Sequence, residues 1–204
     1  MRTLLSVLVV AATLSARAQG TSEAILGYSN TLSAFSRGTA GWTFQTKADI
    51  TVTEIGCFAY VFNDNPGVTG IQVGLWDQLG TLLASNLVTT SSVLFEQTRY
   101  ESVIPVLLSP GTIYTVGISS LSGNIGLNIA GTAAEGTISS SPSLTLRGTA
   151  SVLTPFTFPP EVACTLGSIY AGPNFRFQGG VPEPSTLGLC GLGALLLVGR
   201  RFRR

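Results

Sequence analysis

The chain has 204 residues, a formal net charge of +1, 45% hydrophobic residues and only 10% charged ones. It is long enough for one domain with a sizeable core and too apolar for extended disorder. Histidine is absent, which excludes Ser-His-Asp and Cys-His catalysis and nearly all common zinc sites.

Residues 19–184 hold five basic and all ten acidic groups, a net charge of −5. This acidic middle offers no basic patch to a phosphate backbone, so nucleic acid is not an expected partner. Glycine (24 residues), serine and threonine are abundant. They suit short strands joined by tight turns.

The chain opens Met1-Arg2-Thr3, continues through an apolar run over 4–14, and then reads Ser15-Ala16-Arg17-Ala18. A basic start, an apolar run of about ten residues and a small-x-small site form a secretory signal peptide. The signal covers residues 1–18, with Ala16 and Ala18 as the small positions and cleavage after Ala18. The alternative is a buried N-terminal helix. The run is too short to span a bilayer, which takes about 20 residues.

Residues 19–38 are small and polar and read as a lead-in segment with a first strand around 24–28. The body, residues 39–179, is expected to be all-β. Ile55, Cys57, Ala59 and Val61 alternate with Phe58, Tyr60 and Phe62, which predicts one strand buried on both faces. Residues 63–67 form a turn, and Ile71, Val73 and Leu75 share one face of the next strand, with Trp76 on the other. Residues 77–80 turn the chain into a strand over 81–88.

A single strand is predicted over 93–103, limited by Pro105. Pro110-Gly111 turns the chain again, and Tyr114, Val116 and Ile118 share a face. Later strands are predicted over 125–130, 143–148 and 174–178, with surface loops over 130–143 and 154–165. Turn signals every 8–12 residues and the lack of a long 3.6-residue period predict an antiparallel β-sandwich, jelly-roll-like in winding.

The segments Gly74-Leu75-Trp76-Asp77, Gly80-Thr81-Leu82-Leu83-Ala84 and Leu108-Ser109-Pro110-Gly111-Thr112-Ile113-Tyr114 resemble bacterial extracellular β-sandwich domains of unknown function. The resemblance covers roughly residues 40–120. It implies a sandwich of the kind attached to carbohydrate-active or surface proteins, and carries no catalytic residues with it.

The C-terminus reads Val181-Pro182-Glu183-Pro184-Ser185, then an apolar stretch over 186–199, then Arg200-Arg201-Phe202-Arg203-Arg204. A helix over 186–199 is about 21 Å long against a hydrocarbon core of about 30 Å, with arginine stems able to extend its reach. Arg200, Arg201, Arg203 and Arg204 resist translocation and stay cytoplasmic, leaving the body outside. Pro182 and Pro184 hold Glu183 in extended backbone, the form a protease needs.

Residues 180–204 resemble the PEP-CTERM sorting signal of Gram-negative bacteria, by the Pro182-Glu183-Pro184 motif, the short apolar helix and the arginine cluster in that order. The resemblance implies that an exosortase-type membrane protease recognises Pro182, Glu183 and Pro184 and removes the tail. Its members are exported, often where exopolysaccharide is made. The plainer alternative is an uncleaved membrane anchor behind a Pro-rich linker. Cys190 lies within the apolar stretch as a small packing residue.

Cys57 and Cys164 are the cysteines of the body. Two buried thiols or one disulfide fit the sequence, and an oxidising compartment favours the bridge, which closes a loop of about 107 residues. Trp42, Tyr60, Trp76, Tyr100, Tyr114 and Tyr170 are candidates for stacking on sugars, though strand aromatics more often pack in cores. Asp64 and Asp77 with Asn63 and Asn65 could ligate calcium, but turn formation explains them better.

Glu96 with Glu101, and Asp49 with Glu54, are five apart and point to opposite strand faces, against a glycosidase pair. Ser119, Ser120 and Ser122 read as an exposed turn. No catalytic set, metal site or cofactor is expected. The sequence thus predicts an exported, non-catalytic surface or extracellular-matrix protein, transiently anchored in the cytoplasmic membrane. Polysaccharide is a candidate partner. A carbohydrate-binding module is the first alternative and a glycoside hydrolase the second.

Overall fold

The computed structural model describes residues 20–28, 32–35, 38–63, 67–120, 127–131, 138–160 and 170–179. The expected signal helix and C-terminal helix lie outside them. Short strands β1 (Ser22–Glu23), β2 (Ile25–Tyr28) and β3 (Leu32–Phe35) precede β4 (Thr39–Thr46) and β5 (Ile50–Phe58). A one-turn helix, α1 (Tyr60–Asn63), leads to β6 (Gly70–Asp77), β7 (Leu82–Thr89), β8 (Val93–Phe95), β9 (Thr98–Leu108) and β10 (Ile113–Ser120). The remainder is β11 (Leu127–Gly131), β12 (Ile138–Ser140), β13 (Leu144–Val152), β14 (Tyr170–Ala171) and β15 (Pro173–Gly179).

Two five-stranded sheets run β1-β15-β5-β9-β8 and β13-β4-β10-β6-β7, beside small sheets β14-β11-β3 and β12-β2. The described pairings are all antiparallel. β6 pairs with β7, β5 with β9 and β4 with β10, nested pairs that fall alternately in the second, first and second sheet. A long two-stranded ribbon wound in this way is the jelly-roll arrangement. β13 and β15 then add beside β4 and β5. The lead-in strands are built in as well: β1 pairs with β15, β2 with β12 and β3 with β11.

Period-2 patterning sets the core. Trp42 and Phe44 of β4, Val73 and Leu75 of β6, and Val116 and Ile118 of β10 meet Ile55, Cys57, Phe175 and Phe177 of the first sheet, all buried. The middle of the outer face of the second sheet is buried too. Gly41, Gly117 and Gly74 pair in a row across β4, β10 and β6. The segment 153–160 crosses that face, with Phe156 5.6 Å from Trp76 by ring centroids and Pro159 beside Gly117. Thr39 pins it: its Oγ1 donates to Thr154 O at 3.2 Å and accepts from Thr157 N at 3.0 Å.

Four sequence expectations are corrected. The strand expected across 55–62 ends at Phe58, because its neighbours end there: Phe58 pairs with Thr98, the first residue of β9, and Cys57 with Pro173, the first of β15. Residues beyond turn into α1, with Phe62 N donating to Ala59 O at 3.1 Å. The strand expected over 93–103 is a hairpin, Phe95 pairing with Thr98 across Glu96, whose φ is 51°. A glutamate does not announce that conformation.

β9 also passes Pro105. Glu54 pairs with Ser102 and Val52 with Val106, so residues 103–105 bulge where proline's missing N–H leaves no ladder bond broken. Finally, Ser119 and Ser120 belong to β10 rather than a turn, and Ser119 is buried.

Candidate functional site

The sorting residues Pro182, Glu183 and Pro184, the arginines 200, 201, 203 and 204, the cleavage positions Ala16 and Ala18, and Cys164 and Cys190 lie outside the described residues. The point where the tail leaves the body is described. β15 runs between β1 and β5 and ends at Gly179, which pairs with Ile50 and has φ 92°. Pro182 follows three residues later.

The two body motifs prove architectural. In the β6–β7 turn, Asp77 Oδ1 accepts from Leu79 N at 2.9 Å and from Thr81 N at 2.8 Å. Gly80 holds φ 84°, and a Cβ there would meet the Phe158 ring at 3.1 Å. The Trp76 ring lies over Gly74, where any side chain would collide with it. In the second motif, Tyr114 Oη accepts from Ser109 N at 3.0 Å, and Thr46 and Gln45 donate to Ser109 O and Gly111 O. Asp77 is therefore a turn residue; Asp64 and Asn65 lie outside the described residues.

Backbone donors, Thr81 N–H first, hold the Asp77 carboxyl below its ordinary range. A depressed folded-state value gives stability that is present above the unfolded carboxylate range and lost as acid protonates the group. Asp77→Asn is expected to melt earlier than the parent at pH 7, and the two melting temperatures should converge as the pH falls through the depressed folded-state value. A pH-independent gap would discount the charge.

The candidate stacking aromatics are packed. Trp42 Nε1 donates to Pro173 O at 3.0 Å and its ring stacks on Phe175 at 5.8 Å. Tyr60 stacks on Phe58 at 6.0 Å, and Trp76, Tyr100 and Tyr114 are buried. The Tyr170 side chain lies outside the described set. Cys57 is a free, buried thiol whose Sγ donates to Phe58 O at 3.6 Å, and burial pushes its ionisation far up.

The outer face of the first sheet carries a cluster that no local spacing encodes. Tyr100 lies across Gly56 and its hydroxyl donates to Glu23 Oε1 at 2.6 Å. Arg176 Nη1 pairs with Glu54 Oε2 at 2.7 Å, and the guanidinium sits 4.4 Å over the Phe95 ring and 5.7 Å from that of Tyr100. Arg176 Nε is buried without a hydrogen-bond partner. Burial raises the Glu23 carboxyl against the opposing Tyr100 hydrogen bond, and burial with Glu23 pushes the Tyr100 hydroxyl up.

Each carboxylate thus has its own partner within the protein. The local hint of the cluster was an arginine set between Phe175 and Phe177. The paired acids of the sequence reading do not converge: Asp49 lies before β5 while Glu54 pairs with Arg176, and Glu101 accepts from Ser92 Oγ while Glu96 turns the hairpin. Among the described residues no three His, Cys, Asp or Glu side chains gather as a metal site, and no helix is long and apolar enough to cross a membrane.

The segment directly behind β15 decides the comparison. Residues 180–204 match the PEP-CTERM protein-sorting motif. The matched residues begin directly after Gly179, the last residue of β15. Such a signal implies export, transient membrane anchoring and processing by exosortase, a membrane protein. No curated protein matches the chain.

Proposed function

We propose that the chain is an exported, non-catalytic β-sandwich protein. Its apolar segment 186–199 holds it in the cytoplasmic membrane, with Arg200, Arg201, Arg203 and Arg204 on the inner side. An exosortase-type protease acts at Pro182-Glu183-Pro184, and the body passes to the cell surface or extracellular matrix. The observation that carries this reading is the PEP-CTERM match over 180–204. The chemistry is that of placement: a membrane-held tail keeps an extended, proline-flanked glutamate beside a membrane enzyme. The packed aromatics and internally paired carboxylates support a non-catalytic body.

Pulse-labelling in a producing cell tests the reading. The parent should shift from a precursor to a shorter mature form, while Glu183→Ala should accumulate uncut in the membrane fraction. Equal sizes for precursor and mature chain would remove the processing step.

A further inference from the structure

We propose that the end of the sandwich from which the tail departs is a lipid-docking surface, seated on the membrane that holds residues 186–199. The proposal rests on the anchored stage described above. Register defines that end. Gly179 pairs with Ile50 and Ile50 with Leu108 in the first sheet, while Asp77 pairs with Tyr114 in the second. Gly111 N, in the loop joining β9 to β10, donates to Thr46 O at 3.1 Å. The connections 47–49, 78–81 and 109–112 therefore share one end with Gly179.

Exposed aliphatic side chains stand there. Leu79 tips the β6–β7 turn at 85% exposure, and Leu107, on the outer face of β9, is 64% exposed. Leu82 follows the turn, and Ile104, 87% exposed, projects from the β9 bulge further up the sheet, opposite Thr53. The charged neighbours are Lys47, Asp49 and Arg147, all exposed, with Arg147 reaching Gln45 at 3.4 Å, and Asp77, tied into its turn, so positive and negative charges cancel. This balance does not favour anionic headgroups, so the contact is apolar.

Tether length selects this end. Six residues lie between Gly179 and Thr186, and the seven steps reach at most about 24 Å. The nine residues of β5 alone run about 30 Å. The other exposed apolar residues are Leu26, next to Ile25 beside Asn174, and the group Val93, Leu94 and Phe95 with Leu153; that group lies at the far end, where Phe58 pairs with Thr98 and Thr39 with Val152. A short tether also holds the near end at high effective concentration beside the bilayer, so even a weak contact is populated.

The test uses the full chain, reconstituted through its own tail into phosphatidylcholine vesicles with brominated acyl chains. Leu79→Trp, Leu107→Trp and, at the exposed far end, Thr90→Trp are compared. Trp42 and Trp76 are buried and give a common background. Flotation with the vesicles is scored first.

The added fluorescence should be quenched at 79 and 107 by at least about twofold relative to 90, in low and high salt alike. Hydrogen exchange of the unmodified chain, with and without vesicles, should slow over 78–81 and 104–111. A chain that floats with equal or absent quenching at the three positions overturns the docking surface alone. A chain that does not float overturns the anchored stage as well.

Discussion

Trp42→Ala is expected to destabilise the body by about 3–5 kcal/mol and to lower its melting temperature by about 10 °C. Trp42 sits on β4 in the second sheet, fully buried, with ring-centroid distances of 5.1 Å to Phe44 and 5.8 Å to Phe175 of the facing sheet. Two strands, one from each sheet, meet in this contact, so truncation opens a void that neither sheet closes without moving the other. Its Nε1–H also caps Pro173 O, the first carbonyl of β15, and alanine leaves that buried acceptor without this donor.

Trp42→Phe keeps most of the volume and loses the donor, so about 1–3 kcal/mol is expected. Urea unfolding of the three proteins orders them parent, phenylalanine, alanine. A Trp42→Ala shift below about 1 kcal/mol would show that the sheets collapse onto the gap. Against a total stability of about 5–15 kcal/mol, the alanine variant retains little reserve.

Asn174→Ala is expected to cost a similar amount, about 3–5 kcal/mol, by a different route. Asn174 is fully buried, and its side chain stands in for a strand partner. Oδ1 accepts from Ile25 N at 3.0 Å and Phe175 N at 2.9 Å, while Nδ2 donates to Ile25 O at 3.0 Å and Thr98 Oγ1 at 3.4 Å. One amide thus fastens the lead-in strand β2 to the first sheet. Alanine leaves the Ile25 N–H and C=O without these partners in a buried site, where each uncompensated group costs about 1–3 kcal/mol.

Asn174→Asp separates this from mere loss of volume. It keeps the acceptor but turns a second acceptor toward Ile25 O and buries a charge. Burial raises such a carboxyl in the folded state, so its ionisation opposes folding at neutral pH and the deficit shrinks as pH falls through the raised value. Thermal melts at pH 7 and about pH 4.5 should show Asn174→Asp recovering relative to Asn174→Ala. Hydrogen exchange should accelerate first over residues 22–28. An alanine variant within about 1 kcal/mol of the parent would assign the tether of β2 to other contacts.

The turns were legible because their chemistry is local. Asp77 binds amides two and four residues on, and Tyr114 binds an amide five residues back, so each motif carries its own geometry. The sorting segment was legible for the same reason: its proline pair, apolar stretch and arginines are adjacent in the chain. The hairpin at Glu96 was not, since a non-glycine residue takes a left-handed backbone there. The strand beyond Pro105 was hidden because a bulge accommodates the missing donor. Residues 154–160 form the surface loop their composition predicts, but its proline, threonine and phenylalanine do not name the glycine-lined face it covers.

Local patterning by itself determined the all-β class, the alternation that fills the core, the two motif turns and the C-terminal sorting segment. Each follows from residue period or from contacts within a few positions. Only the tertiary structure decided that Glu23 meets Tyr100, that Arg176 meets Glu54 and Phe95, and that Asn174 takes the place of a strand beside Ile25. It also decided that the exposed leucines 79 and 107 share an end with Gly179. Those juxtapositions join residues far apart along the chain. Sheet register, set by the whole winding of the ribbon and by its bulges, brings them together, and no stretch of sequence states that register alone.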